Sequence, residues 1–191
     1  LFARTGLRGI GVTEFFESEL GAPVSETSLH GLFLKKYFGG GAKDFDRQLK
    51  KELKDVTYEE VEKNEGKTKR FPIGTTAEIR VNGDKYIIFA LSEADPKTCK
   101  AKSDVTKMWI AMHHLWQRAR IEAGGHPLNV PLIGSGLSGI GLPSRDLLNL
   151  IILSVVTETK ANRITEVIRI VLHPDRFEEI DLRDVQKHWE E

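Results

Sequence analysis

A chain of 191 residues with 40% hydrophobic content is long enough for one domain with a proper core, and its 28 basic residues are balanced by 28 acidic ones, which excludes the broad basic face that nucleic-acid binding relies on. Cys99 is the single cysteine, so an internal disulfide and a cysteine zinc cluster are excluded, and a reducing compartment is the simple reading. The longest apolar run, Leu147 to Val156, is interrupted by Asn149 and Ser154, falls far short of the ~20 residues of a membrane span, and predicts a buried helix. Because the chain begins at Leu1 while Met108 and Met112 are internal, it reads as a fragment, with an anchor or partner domain expected before it.

In chain order, Arg8 to Glu17 predicts a short strand running into a loop that carries Phe15 and Phe16. Large aromatics are mostly core residues, and the alternative is that one of them stacks on a flat ring of a ligand. Ser25 or Ser28 then caps a helix with Leu29, Leu32, Phe33 and Tyr37 on its apolar face. His30 and Gly31 fall in its first turn, where free N–H groups make an anion site; taken alone, His30 reads as a surface histidine. Gly39 to Gly41 reads as a linker, and Asp44 to Val56 predicts a helix with Phe45, Leu49, Leu53 and Val56 on one side. The densely charged stretch from Glu59 to Arg70 reads as a solvated excursion.

Phe71 to Val81 and Lys85 to Ser92 predict two strands joined by Asn82-Gly83, a strong hairpin signal. The second strand is apolar almost throughout and should be central, with Ser92 to Pro96 leaving it at the end where ligands gather in α/β sheets. Ser103 caps a long helix to about Ala123, in which Val105, Met108, Trp109, Met112, Leu115, Trp116 and Ala119 recur three or four apart. His113 and His114, adjacent on that helix, point about 100° apart and do not suit one metal. After Thr165 to Asp175, another strand, the tail predicts a short helix whose Leu182, Val185 and Trp189 pack on the sheet edge. Strands and helices mix, with a hairpin inside, and the fold class that follows is a single three-layer α/β/α domain with a mixed central sheet.

The most informative stretch lies between Asn129 and Asp146. An apolar strand, Val130 to Ile133, runs into Gly134, Gly136, Gly139 and Gly141, and Pro143-Ser144 then opens a helix. A glycine loop ahead of a helix offers consecutive N–H groups to a phosphate or diphosphate; the plain alternative is a tight connector, which a loop of ~2 to 6 residues makes without such glycine density. A Walker A loop is excluded, because no lysine lies between Asn129 and Asp146. Gly134 to Gly139 satisfies Gly-x-Gly-x-x-Gly, but the chain ends before a dinucleotide half-fold is complete.

With these pieces in place, the chain resembles the macro domains, and within them the divergent macro domain of type II Thoeris antiphage effectors. The matching segments, in order, are Gly11 to Glu17, Ser28 to Phe33, Ile73 to Ala77, Leu115-Trp116, Pro131 to Leu137 and Ile170 to Asp175. By this resemblance Gly136-Leu137-Ser138-Gly139 corresponds to the Gly-hydrophobic-x-Gly diphosphate loop, and Ser28 to Gly31 stands at the first glycine loop, with Leu29 and His30 where ordinary macro domains carry glycines. The implied ligand-binding set is Thr13, Glu14, Phe15, Phe16, Ser28, Leu29, His30, Gly31, Gly74, Thr75, Ser92, Gly134, Ser135, Gly136, Leu137, Ser138, Gly139, Ile140 and Gly141. The implied ligand is an ADP-ribose-type signal nucleotide, with histidine-ADP-ribose the proposed form, made from NAD by a TIR-domain enzyme. No cofactor, metal or nucleic-acid partner is implied. The expected setting is a cytoplasmic sensor domain of an inner-membrane protein, with an oligomer as one option for the full-length chain.

The Asn-Ala-Ala-Asn motif of hydrolytic macro domains is missing, and the region around Thr13 to Phe16 stands in its place. The expectation is therefore a binding module and not an enzyme. The alternative is a hydrolase of ADP-ribosyl esters or related nucleotides, with Glu14, His30 or Asp95 as acid or base.

Overall fold

The apolar run Asp84–Ala94 is the longest strand of the molecule, and it sits where its sequence demands, inside the sheet. Tyr86, Ile88 and Ala90 face one way and Ile87, Phe89 and Leu91 the other, each set entering a different core. Full burial of each large side chain contributes roughly 1.5–3 kcal/mol, so covering both faces is favoured strongly. The computed structural model describes residues 1–39, 42–137 and 139–189. Gly40 and Gly41 of the expected linker and Ser138 of the expected diphosphate loop lie outside the described residues.

The elements in order are β1 (Leu7–Thr13), α1 (Leu29–Phe38), α2 (Lys43–Glu52), β2 (Glu59–Glu60), β3 (Lys69–Arg70), β4 (Thr76–Val81), β5 (Asp84–Ala94), β6 (Ala101–Lys102), α3 (Val105–Glu122), β7 (Leu128–Pro131), α4 (Ser144–Ala161), β8 (Ile168–Val171), α5 (Pro174–Phe177) and α6 (Leu182–Trp189). The sheet runs β4-β5-β1-β7-β8, with β6 paired to the end of β5. β5, β1, β7 and β8 are parallel, while β4 and β6 run antiparallel to β5. Asn82 and Gly83 take φ of 52° and 80°, the paired positive values of the hairpin turn that the dipeptide predicts. Helices α1 and α2 cover one face through Phe33, Leu34, Phe45 and Leu49, and α3 and α4 cover the other through Met112, Leu115, Trp116 and Ile151. The architecture is a three-layer α/β/α domain with a mixed sheet.

Of the two expected caps of α1, Ser28 is the one used, its Oγ accepting from the Gly31 N–H at 2.9 Å. Several other local expectations are corrected. The buried side of α1 is His30, Gly31, Phe33 and Leu34, while Leu32 is exposed. The helix phase follows Phe33, which meets Tyr86, Phe45 and Phe38. Asp104 caps α3 in place of Ser103, whose hydroxyl instead donates to the Leu91 carbonyl at 2.7 Å; Val105 and Trp109 face outward. Helix α4 is buried on one side only, since Leu153 is exposed. In the tail, Trp189 donates to Asn149 on α4 instead of meeting the sheet edge, and Leu182 is exposed.

The stretch from Glu59 to Arg70 is largely exposed, as its charge density predicts, but it is anchored to the domain. Its ends pair as the β2–β3 ribbon, and the Lys63 ammonium forms an ion pair with Glu17 in which both side chains are buried. Among the described residues no helix is long and apolar enough to cross a membrane.

Candidate functional site

Parallel strands leave ligand space beyond their carboxyl ends, at the point where successive connections depart to opposite faces. Here that point is the end of β1, whose chain leaves toward α1 on one face, while its neighbours β5 and β7 feed α3 and α4 on the other. The pairing of β1 with β5 slips between Val12 and Thr13, which opens the sheet at this end. An open cavity of about 810 Å³ occupies the space. Its floor is apolar, with Val12, Phe89, Leu91, Leu132 and Ile133. Its walls are the capped start of α1, with Ser28, Leu29 and His30, and the loop after β7, from Gly134 to Leu137.

Both walls present main-chain donors. The Gly31 N–H is spent on the cap and the Ser135 N–H on the Leu132 carbonyl at 3.2 Å. Among the described residues, no acceptor takes the N–H groups of Leu29, His30, Gly136 or Leu137. The N-terminus of α1 adds its partial positive charge, and no acid stands in its first turn. The charged side chains lining the cavity are Lys100 and Arg176, with no Asp or Glu among the described residues. Such a lining attracts an anion and gives it N–H groups on two sides.

Two glycines are required by geometry. Gly134 has φ of 88°, and a Cβ there would lie 2.6 Å from Ile140 Cδ1, so only glycine turns the chain here without strain. A Cβ on Gly31 would lie 2.2 Å from the Ser25 carbonyl oxygen. Gly31 therefore lets α1 pack against the turn that precedes it, a structural task instead of the expected contact with ligand.

His30 is corrected from a surface residue to a buried one. It is 6% exposed, and burial together with the nearby Lys67 ammonium pushes its pKa down to about 3. It is a neutral imidazole at physiological pH, its ring 5.9 Å from that of Phe45 and its Nε2 without a hydrogen-bond partner. Thr13, also in the lining, has a buried Oγ1 with no partner. Unpaired buried polar atoms cost about 1–3 kcal/mol each, and both belong to residues of this wall.

The structure gathers Thr13, Ser28, Leu29, His30, Ser92 and Gly134 to Leu137 at one cavity; Ser138 lies outside the described residues, and the other expected residues are placed elsewhere. Phe15 and Phe16 are buried and line a second cavity of about 680 Å³ together with Leu49, Leu53, Tyr58 and Phe71. Phe16 meets Phe71 edge-on at 5.6 Å, and the Lys63 ammonium lies over Phe15 at 3.8 Å. Glu14 is buried against Arg70 at 3.1 Å; burial raises its pKa and the guanidinium opposes that. Gly74 donates to the Ala90 carbonyl at 2.9 Å, and the Ala90 N–H donates to Thr75, so both belong to the β4–β5 ladder. Beyond Leu137, Ile140 packs into the core and Gly139 and Gly141 stand outside the lining. Asp95 closes a turn by accepting from Lys97 and Thr98, and the Thr98 N–H and hydroxyl hold its carboxyl below the usual range.

Lys100, Arg176 and Cys99 line the cavity without having been expected there from the sequence. No motif marks them. The one signal for Arg176 is its place just past the carboxyl end of β8, at the ligand-bearing edge of the sheet. Burial pushes the Cys99 thiol up, so it is not an activated nucleophile.

Comparison with known proteins bears on the same residues. A macrodomain point mutant from Oceanobacillus iheyensis aligns with 96% of this chain and 87% of its own, at 10% identity and a TM-score of 0.48. No curated protein matches the sequence. The family model described as Thoeris protein ThsA, Macro domain, matches residues 1–173. That span holds every strand of the sheet and every lining residue of the large cavity except Arg176, and the chain belongs to the macro domain family of the Thoeris protein ThsA.

Proposed function

We propose that the chain is a ligand-sensing module of Thoeris defence whose cavity takes an ADP-ribose-type nucleotide. The observation that carries this reading is the pairing of two donor walls, Leu29-His30 and Gly136-Leu137, across a cavity whose charged lining is cationic. A diphosphate seated between them receives backbone hydrogen bonds from both sides. Each charge-assisted bond contributes roughly 1.5–3 kcal/mol, so four support micromolar or tighter binding after the costs of association. The apolar floor of Val12, Phe89, Leu91 and Leu132 suits the flat and aliphatic parts of a nucleoside.

The finer reading is that the ligand is histidine-ADP-ribose, made from NAD by a TIR-domain enzyme, and that the domain binds it without turnover. Binding without turnover is supported by the lining. Of the candidate acids and bases, only His30 borders the cavity, and it is buried and neutral. Glu14 is engaged with Arg70 and Asp95 with its own turn.

The test is a thermal-shift titration with ADP-ribose, histidine-ADP-ribose, NAD and ATP, followed by mass spectrometry of the recovered ligand. At a free concentration of about 100 times Kd, one site adds about 2.7 kcal/mol, which raises the melting temperature by several degrees. Stabilisation by an ADP-ribose compound recovered intact supports the reading. No shift with any of the four, or a cleaved ligand, sinks it.

A further inference from the structure

Arg176 is the one lining residue of the cavity that lies beyond the family-matched span, on the short helix α5 that follows β8. Its guanidinium is held at one corner: Nη1 donates to Glu179 Oε1 at 2.7 Å. Glu179 is itself fixed, because its other oxygen accepts from the buried Ser144 hydroxyl in the first turn of α4. An 18-residue helix presents its positive end to that carboxylate. Among the described residues, the Nε and Nη2 edge of Arg176 donates no hydrogen bond. A guanidinium with one corner tethered and a free two-donor edge is prepared to receive an oxyanion bidentately, at little further cost in side-chain ordering.

Resting on the reading of the cavity as an ADP-ribose-type site, we propose that Arg176 is a specificity-determining residue which pairs with a second oxyanion of the ligand, a carboxylate or phosphate distinct from the diphosphate, and that Glu179 positions it. The diphosphate already has main-chain donors on two walls, so the free edge of Arg176 is left over for a second anionic group. A ligand ending in a bare ribose leaves the free edge of Arg176 to water. One whose terminal ribose carries an oxyanion fills it. Glu179 keeps Ser144 and the end of α4 while sharing the guanidinium, so an incoming anion leaves its carboxylate partnered. The selectivity of the domain then depends on the segment after β8, whose Arg176 lies beyond the matched residues 1–173.

The experiment is calorimetric titration of the whole chain and of Arg176→Gln, Arg176→Lys and Glu179→Gln with three ligands. These are ADP-ribose, histidine-ADP-ribose as the carboxylate source, and ADP-ribose phosphorylated on its terminal ribose as the phosphate source. The expected result is that the unaltered chain prefers at least one oxyanion-bearing ligand. Arg176→Gln weakens that ligand by about ten-fold or more beyond whatever it costs ADP-ribose, about 1.4 kcal/mol of lost discrimination. Arg176→Lys restores only part, and Glu179→Gln lowers the ratio between the two ligands without unfolding the chain. A merely structural role for either residue moves all ligands together. Equal weakening of ADP-ribose and its derivatives by Arg176→Gln, or no weakening of either, overturns the assignment while the cavity reading stands. The assignment also falls if the unaltered chain shows no preference for an oxyanion. If the unaltered chain binds none of the three, the cavity reading fails first and takes this assignment with it.

Discussion

His30 shows how one buried side chain links pocket and stability. Its folded pKa lies near 3 against an ordinary 6.5, so the unfolded chain binds the proton first as pH falls. The neutral ring is fully tolerated above about pH 6.5, and stability is lost progressively below that value, by about 1.4 kcal/mol for each pH unit. Between pH 7.5 and pH 5.5 this one group should cost about 1.4 kcal/mol of unfolding free energy. His30→Phe, which can pack beside Phe45, should remove that increment, as measured by urea unfolding at the two pH values. An unchanged pH slope in the variant would place the loss on other groups. Gly136 supplies the complementary residue-scale test. Nothing lies within 4 Å of a Cβ built there, and its φ is not left-handed. Gly136→Glu should therefore melt within a degree or two of the unaltered chain and still bind no nucleotide, because the added carboxylate points a charge into the anion site. Retained affinity in calorimetry would remove this loop from the site.

At the scale of elements, the β2–β3 ribbon is tied to the end of β1 by a buried ion pair. Glu17 accepts from the Lys63 ammonium and from the Lys67 N–H at 3.0 Å, and Lys67 in turn donates to the Phe16 carbonyl at 2.7 Å. Removing one partner of such a pair strands the other charge and costs about 3–5 kcal/mol. Lys63→Ala should thus lower the melting temperature by roughly 6–20 °C for a domain of this size, while an equivalent change at exposed Lys54 should be near neutral. A loss under 1 kcal/mol would mean that water reaches Glu17. This element was the least legible in the sequence, for a physical reason. Charge density signals solvent exposure, and nothing in a single sequence pairs Lys63 with Glu17 forty-six positions away. The hairpin at Asn82-Gly83 and the central position of β5 were legible because a local turn preference and a continuous apolar run each decide the outcome without distant partners. His30 stood between these cases: its helix was readable, but its burial depended on Phe33 choosing Tyr86 and Phe45 as neighbours. The glycine loop was readable through Gly134 to Leu137. Gly139 and Gly141, by contrast, stand outside the lining, and Ile140 between them turns inward to the core.

For the molecule as a whole, the segment after His173 lies outside the matched family span and yet belongs to the fold. Ile180 is 5% exposed and enters the core made by α3, α4 and the sheet, with Val185 packed beside it. Glu179 is bound to Ser144 at the start of α4, and Trp189 reaches Asn149 further along the same helix. The tail therefore covers a side of α4 that would otherwise face water, and it carries Arg176 to the cavity as a consequence of that packing. Cutting the chain after His173 removes no strand, so the shortened protein should still fold with its sheet intact. It should be less stable by at least the cost of Ile180→Ala, about 2–5 kcal/mol for loss of a buried aliphatic side chain and the cavity left behind. Urea unfolding followed by far-ultraviolet circular dichroism measures both variants. A shortened chain as stable as the full one would show that the tail rests on a core complete without it, whereas a chain that loses cooperative unfolding would make the tail part of the folding unit itself. The intermediate outcome, cooperative but weakened, is the one expected for a covering segment that contributes packing and a pocket residue without contributing a strand.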